Sequence, residues 1–412
     1  MAVILARWLS ELGLNRLNRR HVLAHAHAVP DAFRGIMDEA TYAKSIQYTL
    51  ARDRLGLVED AGHTIVLVLI IFSGALPWGW AAVQSRWGDS PWAMAGFLFA
   101  TGAIRSLVGL PVEWFAQFRL EERFGFNTTT QKTWWLDRLK GFLLALALGY
   151  PLLTLVLKIA DWTGAKWWLW AWGAVLAFQV VMRVLAPVLI LPLFNTFSPL
   201  ADGSLRDRLM DLAERTHFHA RGIQIMDGSR RSRHSNAFFT GFGRFRRIVL
   251  FDTLIQQLTE PELEAVLAHE MGHYKKRHIL KLLAGSALGS LAGFYLMSRL
   301  ARQEGFYRAF GFPPGHFAPA LLLFGLLAGS VTFWLSPLLH AWSRRYEYQA
   351  DAFAAEVMKG PDALIRALRQ LTEKNLGNLT PHPVYSAFYY SHPALLERER
   401  ALRKWPGGSV SV

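Results

Sequence analysis

Cysteine is absent from all 412 residues, which excludes disulfides and thiolate metal sites alike. Any metal centre in this chain must be built from His, Asp and Glu. Charge is scarce as well: Asp, Glu, Lys and Arg make up 18% of the residues, hydrophobic residues 52%, and the mean hydropathy is positive. That is less charge than a soluble globular enzyme carries, and with 16 Trp and 27 Phe it indicates a chain that crosses a membrane several times. No internal repeat, low-complexity tract or nucleic-acid motif is present. The net charge of +14 therefore reads as cations facing anionic headgroups, because the Lys and Arg residues cluster beside apolar runs. No nucleic-acid partner is expected. The opening stretch MAVILARWLSELGL is too short to span a bilayer and lacks a small-residue cleavage site, so it is not a cleaved signal peptide.

Six runs reach the ~20 apolar residues that a spanning helix needs: 64–84, 92–115, 140–160, 167–193, 279–299 and 317–340. The fourth starts with WWLWAW, suited to an interfacial belt. Alternation of the six places residues 1–63, the loop 116–139, the segment 194–278 and the tail 341–412 on one side. That side holds SRRSR (229–233), RFRR (244–247) and KKR (275–277), so the positive-inside rule makes it cytoplasmic. The expected organisation is an N-terminal cytoplasmic segment (1–63), four spans (64–193), a cytoplasmic domain (194–278), a membrane hairpin (279–340) and C-terminal helices (341–412). The hairpin brings whatever precedes Ile279 and whatever follows His340 to the same membrane face.

Within 194–278, GIQIMDGS, SNAFFTGF and RRIVLFDTLI have strand composition. TEPELEAVLAHEMGHYK then begins a helix over about 260–277, with Thr259 and Glu262 forming a capping box and Pro261 in the first turn. Such a helix could run on into the fifth span. His269 and His273, at i and i+4, share one helical face and can offer two imidazoles to one metal ion. Glu270 follows the first histidine directly, where a general base acting on the attacking water would stand. The plain alternative is a histidine-bearing helix end at headgroup depth. A catalytic zinc needs a third protein ligand, here His, Asp or Glu from another element. RRYEYQADAFAAE, beyond the hairpin, offers Glu347 and Asp351, again at i and i+4. Glu347 as ligand and Asp351 as hydrogen-bond partner of a ligand imidazole fit that need, and Glu356 faces elsewhere. His21, His25 and His27 lack a neighbouring carboxylate and read as a solvated helix. His217 and His219 read as surface residues, and His278 and His340, at membrane edges near the site, as interfacial residues or as partners standing behind a ligand. Among charges in or near the spans, Arg105 and Arg183 suit a cavity, Glu113 a cavity or a charge partner, and Lys158 snorkels from a helix end.

HEMGHYKKRH, RRYEYQADAFA, SRHSNAFFTGF, RRIVLFDTL, EERFGFNTTT (121–130) and SHPALLER (391–398) together resemble the type I CAAX prenyl protease family of integral-membrane zinc endopeptidases, from about residue 40 to the C-terminus, and suggest a prokaryotic member. The resemblance implies a mainly α fold: a ring of transmembrane helices around a large chamber, with a small α+β zincin-like metalloprotease domain on its cytoplasmic side. It implies one zinc ion held by His269, His273 and Glu347, with Glu270 as general base. Asn236 would bind the substrate backbone beside an edge strand, His392 would stabilise the developing oxyanion, and Asp351 and Arg398 would brace the ligands. The substrates would be prenylated CAAX-type proteins cut near the C-terminus, in contact with membrane lipids, at an inner (plasma) membrane with the site facing the cytoplasm. Family members carry a further N-terminal transmembrane helix, so that helix is expected to be truncated or absent here. A membrane quality-control metalloprotease is the nearest competing enzyme. A zinc-binding transporter or scaffold is disfavoured by the lack of symmetry between the two halves.

Overall fold

A computed structural model of the chain describes residues 1–35, 37–218, 222–240 and 247–405. His219, residues 241–242 of the SNAFFTGF stretch and residues 244–246 of the RFRR stretch lie outside the described residues. The apolar runs all become helices, with changed boundaries at the first. Helix α1 (Ala2–Ala24) is followed by α2 (Glu39–Phe72), and Gly74 at φ +79° separates α2 from α3 (Ala75–Trp87). The expected span 64–84 therefore does not exist as one rod. The spanning candidate is α2, which reaches back to Glu39. Its middle carries Arg52, Asp53, Arg54, Glu59 and Asp60, charges that end an apolar run in the sequence without ending the helix. Asp38 caps it by accepting the Thr41 N–H at 2.6 Å.

Three further rods follow: α4 (Pro91–Phe115), continuing to Phe124; α5 (Gln131–Leu144), continuing into α6 (Tyr150–Trp162); and α7 (Trp167–Leu185), continuing to Phe194. Each contains a stretch of π-helix, at Ala116–Glu121, Ala145–Gly149 and Ala186–Ile190. Pro151 and Pro187 lie beside or within two of these; a proline lacks the N–H of the regular ladder, and a widened turn absorbs the loss. The last pair is α11 (His278–Leu300) and α12 (Phe317–Thr332), and α12 runs through a short 3-10 turn into α13 (Ser336–Val357). Helices α4, α6, α7, α11 and α12 touch in cyclic order. No residue in the apolar windows of α7 or α11 is buried, so both faces of these helices are open and the arrangement is a ring, not a solid bundle. Helix α1 lies on α2 and α12.

The polar part holds a four-stranded sheet in the order β1-β2-β4-β3, formed by β1 (Phe197–Pro199), β2 (Ile223–Met226), β3 (Ala237–Thr240) and β4 (Arg247–Phe251). β4 runs parallel to β2 and antiparallel to β3, which pairs Ala237 with Leu250 and Phe239 with Ile248. Helices α8 (Ser204–Arg215), α9 (Asp252–Gln257), α10 (Glu260–Lys275), α14 (Asp362–Lys374), α15 (Pro383–Tyr389) and α16 (Leu395–Arg403) complete this part. Its core is continuous, joining Leu209 and Leu212 of α8, Ile248 and Leu250 of β4, Leu263, Leu267 and Met271 of α10, and Leu364 of α14. Of the charged residues in and near the spans, Glu113 pairs with Arg138 at 2.8 Å, and Lys158 lies 4.8 Å from the Trp92 ring centre at a helix end. Arg105 and Arg183 are exposed.

Candidate metal centre

Helix α10 carries two of the candidate ligands, and its sequence explains its rigidity. Glu262 accepts the Thr259 N–H at 2.9 Å in the expected capping box. Leu263, Leu267, Ala268 and Met271 bury one face in the core described above. The helix stops at Lys275, Arg277 adopts φ +58°, and a new helix begins at His278, so the expected continuation into the fifth span does not occur. At Gly272 helix α13 crosses so closely that a Cβ would stand 2.9 Å from the Ala350 Cα. That crossing delivers Glu347.

The imidazoles of His269 and His273 approach with Nε2 atoms 3.2 Å apart. Glu347 places Oε2 3.4 Å from the His269 Nε2 and Oε1 3.3 Å from the His273 Nε2. One donor atom from each residue falls within 4.8 Å of the others, the only such His/Asp/Glu trio among the described residues. Glu347 Oε2 is buried without a hydrogen-bond partner, an arrangement costly for a carboxylate unless a cation takes it up. Two imidazole nitrogens and a carboxylate oxygen, with a fourth position left open, are a donor set that zinc accepts.

Hydrogen bonds on the far sides of both rings select the tautomers. His269 Nδ1 donates to Asp351 Oδ1 at 2.8 Å, leaving Nε2 with its lone pair toward the centre. Arg398 grips that carboxylate, donating Nε to Oδ2 at 2.9 Å and Nη2 to Oδ1 at 2.5 Å, and it stands 3.9 Å from Glu347 Oε2. Behind His273 stands a residue for which the sequence offered either an interfacial place or one behind a ligand. His278 is buried, stacks on Tyr346 at 4.1 Å, donates Nε2–H to Gln349 Oε1 at 2.9 Å, and accepts from His273 Nδ1 at 3.0 Å. The result is again a bare Nε2 on the inner side. The signal for His278 was its place five residues beyond His273, which brings the rings together only because the helix breaks at Arg277.

The remaining candidates lie around this centre at different removes. Glu270 has no hydrogen-bond or ion-pair partner among the described residues, and burial pushes its carboxyl above the usual range. Burial alone would lower the His269 imidazole, but the Asp351 and Glu347 carboxylates outweigh it and carry it up to about 9 in the metal-free protein. His392, just before α16, is exposed and places Nε2 3.5 Å from Glu347 Oε1, with Nδ1 2.9 Å from the Ser391 hydroxyl. Asn236 directly precedes β3. Its side-chain oxygen accepts the Ala237 N–H at 2.8 Å, and its backbone carbonyl accepts from Phe251 at 3.1 Å, with no contact to the metal ligands. β3 is the edge strand and touches α10. A peptide laid along that edge would pass the face that carries the histidines.

A family model described as the CAAX prenyl protease N-terminal region, with five membrane helices, matches residues 18–196, and that of peptidase family M48 matches residues 199–406. The chain belongs to peptidase family M48. Among members of this family, the CAAX prenyl protease 1 of Saccharomyces cerevisiae is 35% identical over 402 residues, covering 91% of this chain and 88% of its own. The metalloprotease YhfN of Bacillus subtilis is 30% identical, covering 90% and 89%. The crystal structure of Ste24p from S. mikatae superposes with a TM-score of 0.91 at 33% identity, covering 97% of both chains. This M48 peptidase is thus an integral membrane metalloprotease of the CAAX prenyl protease type, acting on peptide or protein substrates.

Proposed function

We propose that the protein is a zinc endopeptidase that cleaves prenylated CAAX-type proteins near the C-terminus, in the inner membrane of a prokaryote and with its metal end toward the cytoplasm. The observation that carries the proposal is the convergence of His269, His273 and Glu347 beside an unpartnered Glu270, next to a free sheet edge and at the rim of a ring of membrane helices. A zinc ion on the three ligands would polarise the scissile carbonyl and acidify water. Glu270 takes the proton from the attacking water and returns it to the leaving amine as the carbon–nitrogen bond breaks. The edge of β3 holds the peptide in extended form by main-chain hydrogen bonds, with Asn236 contributing its amide at the strand entrance. His392, free on its exposed side, donates toward the oxygen that gains charge. Asp351 and Arg398 keep His269 in its ligating tautomer. The similarity to the yeast enzyme and to Ste24p supports the substrate class, the bacterial relative supports the prokaryotic setting, and the Lys and Arg residues near the metal end support the orientation.

The test is hydrolysis of a farnesylated CAAX peptide and its unprenylated twin by detergent-purified protein, beside Glu270→Gln. Cleavage confined to the farnesylated peptide and abolished in the variant is expected. Undiminished cleavage by Glu270→Gln would refute the base assignment, and equal cleavage of both peptides would move the protein to membrane quality control.

A further inference from the structure

The end of the helical ring remote from the metal centre contains a second polar cavity, of about 400 Å³. It is bordered by Trp80 of α3, Asp89 in the α3–α4 turn, Asp161 at the end of α6, Trp167 at the start of α7, Arg302 just beyond α11 and His316 before α12. Ser298, also in its wall, lies roughly 30 Å along α11 from His278, taking 1.5 Å per residue. Trp78, Trp87, Trp92, Trp162 and Trp170 are exposed around this same end. Tryptophans collect where headgroups meet hydrocarbon, so the cavity opens at headgroup depth.

Its polar groups are incompletely satisfied in a particular way. Asp89 is occupied, accepting from the Gln84 amide at 2.9 Å and lying 3.3 Å from the His316 ring. Asp161 has no hydrogen-bond or ion-pair partner among the described residues. Arg302, exposed, meets the Ala165 carbonyl at 3.5 Å and no carboxylate among the described residues. The indole N–H of Trp80, 4% exposed, is buried without an acceptor while its ring packs edge-on against His316 at 4.8 Å. A buried donor without a partner is costly and rare in folded proteins. One exposed anion and one exposed cation, neither with a charge partner among the described residues, thus border a single recess beside the buried Trp80.

We infer that this cavity binds the headgroup of a zwitterionic, amine-bearing phospholipid. The ammonium meets Asp161, with Asp89 behind it, and the phosphate meets Arg302, since a guanidinium donates and cannot accept. A purely anionic headgroup would satisfy Arg302 and leave Asp161 facing a like charge. An attached lipid, not a free headgroup, is favoured by a neighbouring hollow of about 830 Å³ bordered by the same α3 and α4, whose walls include Ile70, Leu76, Trp78, Phe97 and Ile104. An acyl chain fits such a wall.

The test uses the full-length protein in detergent, delipidated and titrated in native mass spectrometry with phosphatidylethanolamine and phosphatidylglycerol of matched acyl chains. Wild type is expected to bind the ethanolamine lipid preferentially. Asp161→Asn should abolish the preference, while Arg302→Gln should weaken binding of both lipids. Each variant should retain wild-type peptidase activity, which serves as the folding control. Equal binding of the two lipids by wild type overturns the inference, as does a preference that survives in a folded Asp161→Asn protein. Displacement of the bound lipid by soluble phosphoethanolamine would overturn the assignment to a lipid and leave a free-headgroup site.

Discussion

His269 combines two demands that pull against each other. A metal ligand must present a bare nitrogen, yet the carboxylates around this ring carry its metal-free acidity up to about 9. Metal uptake must therefore expel a proton, and zinc affinity of the stripped protein should climb with pH until about 9 and then level off. Titration against a zinc-buffered indicator checks this, and a flat response below pH 8 would contradict it. The same raised value stabilises the metal-free fold fully below the ordinary imidazole range, and that contribution is lost as pH rises through about 9. His278 should matter nearly as much as a ligand. His278→Phe keeps the ring on Tyr346 but removes the acceptor for His273, and a loss of zinc affinity of roughly 10- to 100-fold is expected. The pairs His269/His273 and Glu347/Asp351 could be read from spacing, because i and i+4 positions on a helix have fixed geometry. For His278 the sequence offered that place only as an alternative to an interfacial one, because its contact depends on one backbone torsion, at Arg277.

The crossing of α10 and α13 is the element on which the centre depends, and Gly272 sets how closely they pass. In Gly272→Ala the new methyl would meet the Ala350 backbone, with the carbonyl oxygen only 3.1 Å away. The helices must separate, at a cost of about 1–3 kcal/mol. Bound zinc per chain, measured by elemental analysis, should fall together with the melting temperature while membrane insertion is retained. Retained zinc content would show that the ligands tolerate the shift. The spans and three of the four strands could be read from hydropathy and alternation. β1, only three residues long, carries too little pattern to be read. The first span was misplaced because charge and apolarity share one helix in α2, with the break falling later, at Gly74.

On the scale of the whole molecule, the absence of cysteine makes orientation directly measurable. Single substitutions Lys276→Cys and Gln303→Cys, both at exposed positions at opposite ends of α11, should label from opposite sides of the membrane. Lys276→Cys is expected to react from the cytoplasm. Activity also carries a stability cost: burial raises the Glu270 carboxyl, so ionising it weighs against the metal-free fold, and that loss grows as pH rises through its folded value. Stripped Glu270→Gln should therefore melt higher than stripped wild type at neutral pH, with the gap closing in acid. A lower melting temperature would show that Glu270 has a structural role. Of the molecular architecture, the hairpin that unites α10 with α13 followed from counting spans, whereas the cavity at the far end had no mark in the sequence, because its residues come from five separated segments.

The hairpin also imposes an order on the protein's birth. His269 and His273 leave the ribosome before α11, and Glu347 only after α12, so the ligand set stays open until both helices have entered the bilayer and returned. A nascent chain that has not yet reached α13 holds His269 and His273 but not Glu347. Assembly of the trio His269, His273 and Glu347 is therefore tied to membrane insertion itself.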